Sequence, residues 1–178
     1  MCPADFSVIV TCDGEQQPRL RQMLPELLSL RCNGEREVIV VDKQHDKDLG
    51  EWLADMEAEY PHLSHTFCSP TARGIDTHRL ALTLGARSAI YEWLALLPVE
   101  VRLQGEDLLG RLASYCTDGT DVVAGITDRR FRWKCLVSRI FRRRFPLFRP
   151  TSSVILCRRE CLLQGRDIKL SNCQIVKL

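Results

Sequence analysis

Phe6-Ser-Val-Ile-Val-Thr11 and, one helix length later, Glu37-Val-Ile-Val-Val-Asp42 set the architecture of this chain. Both stretches are apolar and β-branched at odd and even positions alike. A strand with one face in water alternates in polarity, whereas a strand covered by helices on both faces does not. The two stretches therefore read as central strands of a parallel sheet. Each ends on a turn signal, Asp13-Gly14 after the first and Asp42 after the second. Between them Leu20, Met23, Leu24, Leu27 and Leu28 recur at helical spacing from Pro18 onward, with Pro25 as the one unfavourable residue in the run.

Working outward, the alternation continues. Leu49, Trp52, Leu53, Met56 and Tyr60 mark one face of a second helix, which Pro61 closes. A short strand is predicted over Ser64 to Cys68, a loop through Pro70, and a helix from Asp76 to Ala89. A buried strand follows within Tyr91-Glu-Trp-Leu-Ala-Leu-Leu-Pro-Val-Glu100, broken at Pro98. Gly105 to Tyr115 reads as a further helix and Asp121 to Gly125 as a strand. Ser152 to Cys157 reads as a last strand, with a short helix from Arg159. Strands and helices in this rhythm define the α/β class, with parallel pairing through right-handed crossovers.

A chain of 178 residues suits one domain with a sizeable core. No stretch approaches the roughly 20 apolar residues that span a bilayer, and residues 1–20 lack the basic start and apolar run of a signal peptide. The chain reads as cytoplasmic or peripheral to a membrane. Its nine cysteines are odd in number and scattered, and Cys12, Cys68 and Cys157 lie in or beside apolar segments, as reduced structural cysteines do. Cys157 and Cys161 have the spacing of one helix face, but no second pair completes a zinc site. His62 and His65 form no ligand pattern and read as exposed loop and strand edge. The net charge of +2 hides an asymmetry. Residues 1–128 hold 11 Lys/Arg against 21 Asp/Glu, residues 129–149 hold nine Lys/Arg and no acid, and residues 150–178 hold five Lys/Arg and two Asp/Glu.

In an open parallel sheet, ligands bind beyond the carboxyl ends of the strands. That brings Thr11, Asp13, Asp42 and the residues after Leu97 into view. In order and spacing, the segments over residues 6 to 125 resemble the family 2 glycosyltransferases, which move a sugar from a nucleotide-diphospho-sugar to an acceptor. Phe6–Thr11 resembles that family's opening strand, whose following loop packs on the base, with Thr11 where Pro is frequent. Glu37–Asp42 resembles the strand leading to its paired aspartates, one of which recognises the uracil and ribose side of the nucleotide. Here the pair is Asp42-Lys43. Ser69-Pro-Thr-Ala-Arg73, then Arg79-Leu-Ala-Leu-Thr-Leu-Gly-Ala-Arg87 and Ala89-Ile-Tyr-Glu-Trp93, resemble its basic, small-residue region before the next strand. The resemblance implies a Rossmann-like GT-A three-layer sandwich with a mainly parallel central sheet. It also implies nucleotide-sugar contacts from Thr11, Asp13, Asp42, Arg73 and Arg79, and close packing of a helix through Gly85.

Two departures bear on chemistry. The family strand ends in Asp-x-Asp, whose carboxylates hold a divalent cation, manganese or magnesium, against the diphosphate and so neutralise the leaving group. Here the residues are Pro98-Val99-Glu100, and Glu100 alone is left as metal ligand. An ion of this kind can be held by one or two carboxylates plus substrate phosphates. The acceptor half of the family begins, by resemblance, at Arg149-Pro-Thr-Ser-Ser-Val154, and the acidic motif that carries its base has no match in the residues that follow. An inverting transferase needs that base, so no catalytic residue is assigned. The expectation is a glycosyltransferase family 2-like domain with weak or absent transfer. The alternative is a non-catalytic binding or scaffold module at a membrane surface or beside an active glycosyltransferase.

Each candidate also has a plainer reading. Asp42 contacts a nucleotide or caps the next turn, Glu100 holds a metal or is a solvated carboxylate, and Arg73 and Arg79 meet phosphates or pair with nearby acids. His45-Asp46-Lys47-Asp48 reads as a solvated turn with helix N-terminal acids. The segment from Arg129 to Arg149 mixes arginines with aromatics. As a helix up to Phe145 it would gather Trp133, Leu136, Val137, Ile140, Phe141 and Phe145 on one side, the composition of an interfacial helix on an anionic membrane. Such a segment would make the protein peripheral at the inner face of the membrane. Burial against its own acidic domain is the alternative, and nucleic acid is disfavoured because no recognised module accompanies the stripe.

Overall fold

The structure is a computed structural model and describes residues 5–30, 34–69, 76–101, 108–126, 153–163 and 172–177. β1 (Phe6–Cys12) and β2 (Arg36–Asp42) pair in parallel over their whole length, from Phe6 opposite Arg36 to Cys12 opposite Asp42. Two cores explain why neither sequence alternates. Phe6, Val8, Val10 and Cys12 face one core, with Leu20, Leu24 and Leu27 of α1 (Gln17–Ser29) and Leu49 and Leu53 of α2 (Lys47–Glu59). Ile9, Ile39 and Val41 face the other, with Ala81 and Ala86 of α3 (Thr77–Ser88).

Local chemistry sets the helix ends. Asp46 accepts from the Leu49 amide at 2.9 Å to cap α2, and Asp76 accepts from the amides of His78 and Arg79 to cap α3. Pro25 stays inside α1. It is only half-buried, so water is available to the carbonyl that it leaves without an intrahelical donor. Gly85 lets α3 lie close on β1, because a Cβ there would stand 2.7 Å from Cγ2 of Ile9.

β3 (Leu63–Phe67) flanks β2, and β4 (Trp93–Leu96) pairs in parallel with the other side of β1. The chain thus leaves β1 in one direction and returns through α3 to its opposite side, making the β1–β4 boundary the topological switch point. β5 (Val122–Ile126), β6 (Ser153–Arg158) and β7 (Cys173–Lys177) complete a seven-stranded sheet of order β3-β2-β1-β4-β6-β5-β7. α4 (Leu108–Ala113) joins the first core and α5 (Arg159–Leu163) the second layer of helices.

The sheet is mainly parallel, as expected, with β6 antiparallel to both β4 and β5. Two sequence expectations need correction. β7 is a further strand after the one read as last, and it pairs in parallel with β5. Cys157 lies on β6 and Cys161 on α5, so the two do not share a helix face. The six described cysteines are free thiols. Among the described residues no helix is long and apolar enough to cross a membrane. The basic segment 129–149, Arg73, the start of the helix predicted from Gly105, and the loop at Pro70 lie outside the described residues.

Candidate functional site

The register of β1 and β2 builds the candidate site. With Cys12 opposite Asp42, the next residues, Asp13 and Lys43, stand side by side at the carboxyl rim, and the Lys43 amide continues the ladder to the Cys12 carbonyl at 2.8 Å. Lys43 Nζ donates to Asp13 Oδ2 at 2.8 Å and lies 3.4 Å from Gln16 Oε1. The Lys43 side chain is 14% exposed, so the ammonium is largely enclosed. Gln16 ends the short turn Gly14–Gln16, and its Oε1 also accepts from the Asp13 amide at 3.2 Å.

The other end of the Gln16 amide crosses the switch point. Its Nε2 donates to Glu100 Oε1 at 2.6 Å, and Arg19 donates through Nη2 to the Glu100 carbonyl at 3.2 Å. Glu100 is held in a turn beyond β4 in which the Val101 amide bonds the Pro98 carbonyl. A continuous run of polar contacts therefore joins the loops after β2, β1 and β4.

Asp42 is 4% exposed and turned into the backbone. Its Oδ1 accepts from the Gln44 amide at 2.8 Å and its Oδ2 from the Asp46 amide at 2.5 Å, so the carboxylate shapes the turn that leads into α2. Gln44 returns the favour across the rim by accepting from the Gly14 amide at 2.9 Å. Within this turn His45 adopts φ 58, the left-handed region that side chains seldom occupy, and its ring stacks on Phe67 at 3.7 Å with 10° between planes. Burial, followed by the negative charges of Asp13 and Asp42, pushes the Cys12 thiol up to about 12. It is therefore neither a nucleophile nor a thiolate ligand at neutral pH.

Of the residues picked from sequence, Asp13 and Glu100 are linked through Gln16, the Asp42 turn joins them through Gln44 and Gly14, and Thr11 is the penultimate residue of β1, opposite Val41. Arg79 is exposed in the first turn of α3, which follows β3 and so begins at the carboxyl end of the sheet. Sequence reading treated Lys43 only as a charge reversal and missed Gln16 and Arg19. For Lys43 a signal did exist, since it and Asp13 are the first residues past two strands of matching length; Gln16 carried none.

The residues present do not fit a divalent cation. Asp13 is already paired with an ammonium, Glu100 is bonded to an amide donor, and both oxygens of Asp42 are engaged by the backbone. Among the described residues no group of three or more His, Cys, Asp or Glu side chains is gathered as metal ligands.

No family model matches the sequence, and no curated protein does. Solved structures do match. The mannosyltransferase PcManGT from Pyrobaculum calidifontis, in complex with GDP-Man and Mn2+, is similar at a TM-score of 0.63 and 19% identity, over 92% of this chain and 47% of that one. Residues 1–349 of S. aureus TarS are similar at a TM-score of 0.63 and 14% identity, over 97% of this chain and 58% of that one. The TarS complex with UDP-GlcNAc gives 0.61 and 14%, over 97% and 56%. This chain spans about half the length of the structures it matches. Its fold is that of the GT-A glycosyltransferases.

Proposed function

We propose that this domain is a glycosyltransferase family 2-like nucleotide-sugar-binding half whose own capacity for transfer is weak or absent. The observation that carries the reading is that the Asp13 loop, the Asp42 turn and Glu100 are joined by hydrogen bonds at the switch-point rim of a GT-A fold. Solved proteins of this fold hold GDP-Man and UDP-GlcNAc. In this reading Thr11 and the Asp13 loop pack on the nucleoside, and the Asp42 turn fixes the wall beside it. Arg79 and Arg73 approach the diphosphate, and Glu100 takes the place of the metal-binding pair. Weak transfer follows from leaving-group chemistry, because a departing nucleoside diphosphate needs its growing charge neutralised, and one carboxylate bonded to Gln16 is a poor seat for the cation that does so.

A second reading, a non-catalytic binding or scaffold module, draws on a different observation: the polar groups of the rim are satisfied by one another. Lys43 with Asp13 and Gln16 with Glu100 bridge the crevice where a nucleotide would enter. Calorimetric titration with UDP- and GDP-sugars, each with and without Mn2+, separates the two. Saturable binding to a donor supports the transferase-like reading. Absence of binding to every donor at millimolar concentration overturns it and leaves the scaffold.

A further inference from the structure

The rim carries two departures from the resembled family. One removes a carboxylate at the end of β4, leaving Glu100, and the other puts Lys43 directly after Asp42. The structure joins them. The ammonium of Lys43 stands between two oxygens, Asp13 Oδ2 at 2.8 Å and Gln16 Oε1 at 3.4 Å, and Gln16 in turn reaches Glu100 at 2.6 Å. Oxygen donors around an enclosed positive charge are what a hard divalent cation requires. Here the chain supplies that charge itself.

We propose that Lys43 is a built-in counter-ion to Asp13 that closes this part of the rim to divalent metal. An ion approaching Asp13 would meet a largely buried ammonium already bonded to its carboxylate, and the two like charges would repel. The pairing is self-consistent. Asp13 keeps a compensated charge without an ion, and Gln16, oriented by Lys43 and the Asp13 amide at its oxygen, turns its NH2 group to Glu100. Any ligand of this rim then binds without help from a divalent metal. The inference concerns the same site as the proposed nucleotide-sugar binding, but it requires no nucleotide to be true.

The test uses Mn2+ alone with the full chain, read by electron paramagnetic resonance of the free aqua ion. The wild-type protein leaves the signal undiminished at millimolar ion. Lys43→Met, which keeps the side-chain stem and removes the charge, diminishes the free-ion signal at millimolar ion by binding Mn2+ through Asp13 and Gln16 with water completing the shell. Lys43→Gln does the same, and Lys43→Arg stays like wild type. Asp13→Asn added to Lys43→Met abolishes the gain, and circular dichroism melts show that the variants fold. Sub-millimolar Mn2+ binding by the wild type that Asp13→Asn removes would overturn the proposal, as would folded Lys43→Met and Lys43→Gln proteins that gain nothing. Since no donor sugar is in the cell, either result is independent of whether nucleotide-sugars bind.

Discussion

Asp42 shows how one residue can serve the fold at a place where a ligand contact is also expected. It is buried, and each of its oxygens takes a backbone amide of the turn into α2. Asp42→Ala strands two amides near the core and is expected to cost about 2–4 kcal/mol, because a lost bond to a charged acceptor adds to the desolvation of the donors left behind. Asp42→Asn, which keeps one oxygen acceptor, costs less. Urea unfolding of both variants checks the order; a cost below about 0.5 kcal/mol for the alanine, within the range of an ordinary surface change, would show that the turn does not depend on the carboxylate. Lys43 belongs to the same scale with a different consequence, since its bond to Asp13 affects what can enter the rim more than whether the chain folds.

At the scale of elements, the contact of α3 with β1 is the tightest point for which the sequence offered a cue. Gly85 faces Ile9, and a Cβ at 2.7 Å from the Ile9 Cγ2 requires either the helix or the central strand to move. Gly85→Ala is therefore expected to destabilise by about 1–3 kcal/mol despite the better helix propensity of alanine. Ile9→Ala removes the obstructing atoms, so the double variant should be less destabilised than the sum of the two single changes. Thermal melts of the four proteins measure that coupling, and strict additivity would contradict the contact. The capping of α3 by Asp76 contributes less, since losing an N-cap usually costs about 1 kcal/mol.

At the scale of the whole molecule, buried thiols tie stability to pH. Burial raises the Cys12 and Cys116 thiols from 9.0 to about 12 and Cys173 to about 11, and it pushes Cys157 up further. A raised folded value means that the unfolded chain ionises first. The contribution is complete below pH 9.0 and is lost as pH rises from there through the folded values. Between about pH 7 and about pH 10, Cys12 alone should withdraw roughly 1 kcal/mol. Urea midpoints at the two pH values test this, and Cys12→Ala should flatten the fall. Also at this scale, we propose that the 129–149 segment rests on an anionic membrane surface, on the ground of nine Lys/Arg without an acid. Co-sedimentation should then favour phosphatidylserine vesicles over neutral ones and weaken with salt; equal or absent binding to both would remove the proposal.

The sequence by itself determined the class of the molecule and the order along the chain of the eleven strands and helices described from β1 to α5. Apolar patterning is a local property. Phe6–Thr11 and Glu37–Asp42 had to be strands covered on both faces, and Leu20 to Leu28 had to be a helix lying on them. Only the tertiary structure decided how the second half of the sheet is paired. β6 enters antiparallel between β4 and β5, and β7 adds a strand that its short, partly polar sequence did not announce. The rim was legible as a set of positions, because ligands gather beyond strand ends, but its connections were not. Lys43 reaches Asp13 across 30 residues and Gln16 reaches Glu100 across 84, distances closed by strand register and crossover topology. A sequence shows which charges a chain carries, and the fold decides which of them neutralise one another.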